Sequence, residues 1–401
     1  MKDMNKRDYK QTEIGEIPEE WEVVKLGSRL TLEYGQGLVE PERIEGSYPV
    51  FGSNGIVGYH NKLMIKGPGI VVGRKGTIGA ITWSDRDFWP IDTTYYVKLA
   101  DNKIVLRWLY YKLINLKLSK LNMATGTPGL NRDIVYAIQV SLPPLPEQRK
   151  IAEVLSTVDE AIQKVDEAIA KTEWLKKGLM QRLLTKGIGH TKFKFSEELG
   201  CEIPEEWAVG KIENYYQIID CKHRTPEYIS NGYPIVLPRD LSSGKLNLDN
   251  CMKTSYEDFL DLTEKHLPRK GDIVFCRNAS FGVASYVTID QEFSMGQDMV
   301  IITSNQNSTK YLFYLLHSNL MTLQINRFSA GSTFKRIDLK KIRKLPLPLP
   351  SPQEQHKIAE VLSRVDEKID IEKRKRERLE RIKKGLMTDL LTGKKRVKLN
   401  E

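Results

Sequence analysis

At 401 residues, with 28% charged and 8% aromatic side chains, the chain is long enough for more than one core and is not of disordered composition. A formal net charge of +10 suits an anionic partner such as nucleic acid without identifying one. The four cysteines, Cys201, Cys221, Cys251 and Cys276, form no C-x-x-C pair and all fall in the second half, which excludes a disulfide framework or zinc site common to both halves and leaves free thiols in a reducing cytoplasm.

Met1 to Lys10 is polar and charged, unlike a secretory leader, and no apolar run approaches the ~20 residues that span a bilayer. Residues 1–142 read as a first globular part, mainly β. Glu16-Ile17-Pro18-Glu19-Glu20-Trp21 opens it, with Trp21 expected as a core anchor. Short apolar runs bounded by Gly and Pro follow: Tyr48-Pro49-Val50-Phe51-Gly52, then Gly69-Ile70-Val71-Val72-Gly73. Between them, Asn54-Gly55 is first a type I′ turn signal; Asn54 is also a candidate to read adenine. Arg74, Lys75 and Thr77 come next, in a loop bounded by Gly73, Gly76 and Gly79. Arg suits guanine edges and phosphates alike; the competing reading is a solvated hairpin end. Apolar residues at three- and four-residue steps predict a helix over Val105–Lys117. Arg132 is a candidate phosphate contact or a surface salt bridge.

Pro143-Pro144-Leu145-Pro146 is expected to be rigid and extended, continuing neither a strand nor a helix. The pattern of 143–187 then changes. Ile151, Leu155, Val158, Ile162, Val165 and Ile169 recur at alternate steps of four and three, a heptad seam with charged flanks. Gly178, in Lys176-Lys177-Gly178, sits inside this helix, where glycine costs ~1 kcal/mol relative to Ala. Close approach of another helix or of a partner subunit would account for it, as would a bend.

From there the chain repeats itself. Glu202-Ile203-Pro204-Glu205-Glu206-Trp207 restates the opening motif and begins a second globular part, 188–345. Arg277, Asn278 and Ser280 stand where the first part has Arg74, Lys75 and Thr77 (277 minus 74 is 203). Most of the extra length lies between Trp207 and Arg277, where Lys222, Arg224 and Arg239 are DNA-contact candidates. A helix is predicted over Thr309–Gln324, and Lys335-Arg336 take the place of Arg132. A second spacer, 346–393, opens on Pro346-Leu347-Pro348-Leu349-Pro350. It restates Glu147 to Ser156 as Glu354 to Ser363 (354 minus 147 is 207). It carries Ile358, Leu362, Val365 and Ile369, then Lys383-Lys384-Gly385. The C-terminal tail is 394–401; the stretch from Gly393 to Glu401, joined in space to Met1 to Glu16, would complete for the first part the link that Lys186 to Ile203 makes for the second. Two apolar stripes of about 60 Å each bury most simply against each other, antiparallel, with the globular parts at opposite ends of a pseudo-twofold molecule. The competing arrangement lays each helix on its own globular part.

Enzyme motifs are missing from the sequence. The glycine-rich loop from Gly73 to Gly79 fits neither the P-loop nor the dinucleotide fingerprint. The six histidines lack H-E-x-x-H spacing, and no Asn-Pro-Pro-Tyr-like methyltransferase motif occurs.

Taken together, the paired pieces resemble the specificity subunit of type I restriction-modification enzymes. The resemblance rests on the proline lead into Glu-Gln-x-x-Ile-Ala-x-Val-Leu-Ser, on Lys-Lys-Gly-Leu-Met with its following Leu-Leu-Thr, and on the Ile-Pro-Glu-Glu-Trp and Arg-x-x-Ser/Thr elements, each present twice in order. It covers essentially the whole chain. It implies an α+β fold: two target recognition domains, 1–142 and 188–345, separated by an antiparallel pair of coiled-coil helices. Each domain would read one half of a split duplex-DNA site, while the helices set the spacing and dock two modification subunits. Restriction subunits would join for cleavage. The chain itself would be non-catalytic and carry no cofactor, since S-adenosylmethionine belongs to the modification subunits, and ATP and magnesium to the restriction subunits. The alternative is a coiled-coil scaffold with two protein-binding β domains, indifferent to DNA.

Overall fold

The computed structural model describes residues 9–121, 129–242, 244–278, 283–329 and 337–399. Two compact units divide the chain. Unit 1 runs to Glu167 and resumes at Arg374; unit 2 is Ala168–Lys373. Each therefore contains parts of both long helices.

Unit 1 begins with a hairpin, β1 (Tyr9–Thr12) and β2 (Gly15–Pro18), followed by β3 (Glu22–Lys25) and β4 (Leu30–Tyr34). Next come β5 (Tyr48–Gly52), β6 (Gly55–His60), β7 (Gly69–Gly73), β8 (Ile81–Ser84), β9 (Trp89–Pro90) and β10 (Thr94–Leu99). Helix α1 (Leu106–Leu116), the short α2 (Arg132–Ala137) and β11 (Gln139–Leu142) lead into α3 (Leu145–Lys186). The sheets are ordered β4-β10-β7-β8 and β6-β5-β9, with β11 paired to β3. The two-residue turn between β5 and β6 uses Ser53 and Asn54, between paired Gly52 and Gly55. Positive φ falls on Gly55, at +112°, and not on Asn54, so the turn is not the type I′ expected.

Unit 2 repeats this plan: β12 (Phe193–Ser196) with β13 (Cys201–Pro204), then β14 (Ala208–Lys211), β15 (Gln217–Asp220), β16 (Tyr233–Val236) and β17 (Met252–Thr254). Helix α4 (Tyr256–Thr263) precedes β18 (Ile273–Cys276), β19 (Ala284–Tyr286), β20 (Ser294–Met295) and β21 (Met299–Thr303). Helices α5 (Thr309–Leu316), α6 (Asn319–Ser329) and α7 (Leu339–Arg343), then β22 (Pro346–Leu349) and α8 (Pro352–Leu390), complete it. The sheet orders, β15-β21-β18-β19 and β17-β16-β20 with β14 on β22, restate those of unit 1. The offset between units grows from 185 at Tyr48 and Tyr233 (233 minus 48) to 203 at Gly73 and Cys276 (276 minus 73). Helix α4 lies within that added length.

Two sequence expectations change here. The predicted helix over Thr309–Gln324 is two helices, because Ser318 interrupts it: its Oγ accepts from Met321 N at 3.3 Å, capping α6. The proline leads also join regular structure. Pro346 and Pro348 lie within β22, facing Lys211 and Val209 of β14. Two residues apart, both place their missing N–H on the edge away from β14, so the ladder loses nothing. Pro146 and Pro352 occupy the first turns of α3 and α8, where a helix has no use for the N–H.

The duplicated motifs prove to be buried anchors. Trp21 is 0% exposed and its Nε1 donates to Glu147 at 2.9 Å. Glu147, itself 1% exposed, also accepts from Arg396 Nε at 2.6 Å. Gln148 accepts from Val105 N at 2.8 Å, closing the open end of α1, and donates to Lys103 O and Pro143 O. In unit 2, Glu354 accepts from Trp207 Nε1 at 3.1 Å and Ile188 N at 2.9 Å, with His190 Nε2 at 2.9 Å. Gln355 accepts from Ser308 N. As expected, the tail does for unit 1 what the 187–190 link does for unit 2: Tyr9 Oη donates to Gly393 O at 2.9 Å, and Arg396 also pairs with Glu20 at 2.6 Å.

Both arrangements foreseen for the long helices occur in part. Ile151 and Leu155 share a core with Trp21, Leu109 and Leu391; Ile358 and Leu362 share one with Trp207, Leu312 and Leu184. Further along, Val165 and Ile369 are buried, while Val158, Ile162, Ile169 and Val365 are half-buried. Within unit 1, Asp159 and Asp166 of α3 meet Lys383 and Arg376 of α8, each at 2.5 Å. Within unit 2, Lys176 meets Asp366 at 2.6 Å and Glu173 meets Lys373 at 3.2 Å. Rising numbers on one helix meet falling numbers on the other, so the pairing is antiparallel in each unit. A Cβ on Gly178 or Gly385 would meet nothing within 4 Å, so close helix approach inside the chain does not explain these glycines.

Lys112 has no cationic counterpart in unit 2, where Leu315 takes its place (the offset is again 203). Its Nζ donates to Leu391 O at 2.7 Å and Ser141 Oγ at 3.0 Å, and burial pushes its pKa from 10.5 down to about 8. The folded chain thus releases this proton before the unfolded chain does, so stability rises as pH climbs from about 8 towards 10.5. A shift of this size is worth on the order of 3 kcal/mol. Melting curves from pH 7 to 10 should therefore rise for the wild type relative to Lys112→Met; parallel curves would refute the assignment.

Candidate nucleic-acid interface

In unit 1 the candidate residues converge at one end of the β4-β10-β7-β8 sheet. Arg74 follows β7, and its backbone N–H donates to Thr93 O at 2.9 Å. Its guanidinium donates twice to Asp92 O, at 3.0 and 2.8 Å, and lies 5.1 Å from the ring centroid of Tyr34 and 5.9 Å from that of Tyr95. Arg132, in the first turn of α2, also lies 5.1 Å from Tyr34. Leu130 N donates to Arg74 O at 2.9 Å, which ties that segment to the loop. Gly76 and Gly79, at φ +73° and +71°, fold the loop back; a Cβ on Gly76 would approach Ser53 Oγ at 3.2 Å, so the Ser53-Asn54 turn is its neighbour. Asn54, Lys75 and Thr77 are exposed, and Arg74 and Arg132 half-exposed. The arrangement offers two guanidiniums held on an aromatic ring, beside a lysine, a hydroxyl and an amide. Cations so held lose little side-chain freedom on meeting a phosphate or a guanine edge.

Tyr34, absent from the contacts that the sequence predicts, organises the cluster. It is 48% exposed at the end of β4, paired across the sheet with Tyr95 at a centroid distance of 5.1 Å. Burial first, and then Tyr34, push the Tyr95 phenol up to about 12, and its hydroxyl donates to Leu130 O. The available signal was an aromatic residue immediately before Gly35-Gln36-Gly37.

Unit 2 departs from expectation at the same place. Arg277 holds the backbone position of Arg74: its N–H donates to Asp298 O at 2.8 Å, and its O accepts from Ile337 N at 2.9 Å. However, it is only 4% exposed, with Nη1 3.4 Å from Asp220 and Nη2 3.9 Å from Asp298. Asp220 occupies the sheet position of Tyr34, since both lie opposite corresponding residues of β21 and β10. Where unit 1 has an exposed tyrosine, unit 2 has a carboxylate, and the Arg277 side chain is buried beside it and Asp298. Asn278 Nδ2 is likewise engaged, donating to Asp298 at 2.5 Å.

Among the described residues, the other candidates of unit 2 are held beside carboxylates. Lys222 pairs with Asp261 and Glu264, each at 2.6 Å, and Arg224 with Asp258 and Asp261. These contacts fasten α4 to the 220s segment. The Lys222 ammonium beside Asp261 holds that carboxyl below the usual range. Arg239 is largely exposed, 3.8 Å from Asp240. Ser280, Lys335 and Arg336 lie outside the described residues. Among the described residues no group of three His, Cys, Asp or Glu suits a metal ion, and no helix is long and apolar enough to cross a membrane.

The family model described as the type I restriction modification DNA specificity domain matches the chain twice, over residues 18–171 and 204–381. The chain is 29% identical over 417 aligned positions to the type I restriction enzyme MjaVIII specificity subunit of Methanocaldococcus jannaschii, covering 98% of this chain and 96% of that one. It is also 29% identical to the same organism's putative MjaX specificity subunit, covering 98% and 97%. Among solved structures it resembles the type I restriction-modification S subunit from M. genitalium, with a TM-score of 0.64 at 18% identity over 92% of this chain and 96% of that one.

Proposed function

The chain belongs to the type I restriction modification DNA specificity family, and from that premise we propose that its two units read the two halves of one split duplex-DNA site, each by its own residues. The observation that carries this is the double match of the family model, one over the first half of the chain and one over the second, beside a half-exposed pair of arginines in unit 1. The coiled-coil scaffold alternative is set aside, because both halves of the chain match a DNA specificity domain. In unit 1 the reading residues are Arg74, Lys75, Thr77, Arg132 and Asn54 around Tyr34. In unit 2, among the described candidates, Arg239 is the most exposed cation.

The chain acts as the non-catalytic, DNA-choosing member of an assembly with modification and restriction subunits. The open faces at Gly178 and Gly385, and Trp174 at 78% exposure on the first of them, are surfaces that a modification subunit would cover. The paired helices fix the unread gap between the two words.

Selection from a randomised duplex library, using the chain co-expressed with a modification subunit at near-physiological salt, should enrich two short words at one gap, by orders of magnitude over random DNA. Enrichment of one word would leave a single reader, and of none would end the DNA reading. Lengthening α3 and α8 by one turn each adds ~5.4 Å per helix, so the gap should change by one to two base pairs of roughly 3.4 Å while both words persist. A changed word would contradict the spacing role.

A further inference from the structure

One three-residue constellation occurs twice, once in each unit, where helix pair and globular body meet. In unit 1, Asp159 of α3 accepts from Tyr111 Oη of α1 at 2.7 Å and pairs with Lys383 Nζ of α8 at 2.5 Å. Lys383 Nζ also stands 5.8 Å from the Tyr111 ring centroid. In unit 2, Asp366 of α8 accepts from Tyr314 Oη of α5 at 2.8 Å and pairs with Lys176 Nζ of α3 at 2.6 Å, with Lys176 5.8 Å from the Tyr314 ring. The ion-pair side chains are 22–25% exposed, partly shielded from solvent. The lysines belong to the duplicated Lys-Lys-Gly, which the rest of the fold left without a role.

Each constellation joins three elements at one point: a body helix, the long helix that enters that body, and its antiparallel partner. The anchors at Glu147 and Glu354 hold only the starts of the long helices. The tyrosine–aspartate–lysine contact lies three turns further on, since Asp159 is 12 residues beyond Glu147 (159 minus 147) and Asp366 is 12 beyond Glu354 (366 minus 354). The core contacts of Ile151 and Leu155, and of Ile358 and Leu362, hold the next two turns, and the junction extends the grip beyond them to the partner helix, which shortens the free lever on which a body can swing.

We propose that these two junctions are positioning elements that lock each reading body to the helix pair, and so set how strictly the chain measures the gap between its two words. The proposal rests on the two-word reading above. Moving one base pair along the duplex shifts a body by roughly 3.4 Å and turns it by about 35° around the DNA axis. A rigid junction resists both movements; a loosened one tolerates them. The junctions touch no reading residue, so the words themselves should not change.

The test is competitive selection of the full chain, with its modification subunit, on duplexes carrying both words at the preferred gap and at one base pair more or less. The wild type should prefer its own gap on the order of tenfold, comparable to one mismatched base pair. Lys176→Met with Lys383→Met should reduce that preference to about threefold or less, as expected for losing two partly shielded ion pairs, with both words intact. Tyr111→Phe with Tyr314→Phe removes only two hydroxyls and should relax it in the same direction. Exchanging the charges, as Asp159→Lys with Lys383→Asp and Asp366→Lys with Lys176→Asp, should restore part of the preference, which general destabilisation cannot do. Unchanged gap preference in folded Lys→Met and Tyr→Phe variants overturns the proposal and spares the two-word reading. A wild type that selects no pair of words overturns both.

Discussion

Glu147→Ala should cost unit 1 about 2–4 kcal/mol, because it leaves a buried indole N–H unpaired and strips Arg396 of the buried one of its two carboxylates. Three segments distant in sequence, at Trp21, Glu147 and Arg396, converge on that group, and Arg396 also pairs with Glu20. The loss should appear as a lower urea midpoint. In amide exchange it should appear as lost protection in β1–β3 and β11, with unit 2 unaffected. The matching Glu354→Ala should cost less, about 1–3 kcal/mol. Its carboxylate is 14% exposed, and its indole, backbone amide and imidazole partners leave no guanidinium behind. Equal losses in both units would mean that the arginine contributes nothing to the anchor.

Arg74→Ala and Arg277→Ala should separate cleanly, although the two arginines occupy the same place in the repeat. Removing Arg74 should weaken specific DNA binding by about 1–3 kcal/mol, or roughly ten- to a hundredfold, and reduce the salt dependence if it meets a phosphate. Stability should move by less than about 0.5 kcal/mol, since Asp92 O remains open to water. Removing Arg277 should instead destabilise unit 2 by about 2–4 kcal/mol, leaving Asp220 and Asp298 without their shared cation. Filter-binding isotherms at two salt concentrations, alongside urea midpoints, measure both quantities. Wild-type DNA affinity for Arg74→Ala would remove the unit 1 cluster from the interface.

The contrast between those arginines marks the limit of what the sequence could tell. Arg74 and Arg277 share a motif, a strand end and a backbone hydrogen bond, all of them local. What separates them is Tyr34 or Asp220, brought alongside by pairing through the central strand of the sheet. No reading of the loop alone contains that neighbour. The same reasoning explains Lys222 and Arg224, whose acidic partners arrive on α4. By contrast, the repeated plan, the long helices and the buried Trp21 and Trp207 were legible, because each is written in periodicity or in a motif stated twice. The break at Ser318 was missed because the apolar steps run on across it, and only the cap bond reveals the new start. The prolines misled because two of them, spaced by two, suit the edge of a strand as well as an irregular lead.

The duplicated anchors carry a consequence for heredity. A reading body meets its helices through a tryptophan, a glutamate and a glutamine that are the same in both copies. Recombination in register at these short repeated stretches can therefore replace an entire body while rebuilding an intact socket on either side. Point mutation must change a word one contact at a time, through intermediates that read neither old nor new sequence. Exchange at the sockets passes in a single genetic event from one complete vocabulary to another, and the folding of the receiving chain is secured in advance by the chemistry of the joint.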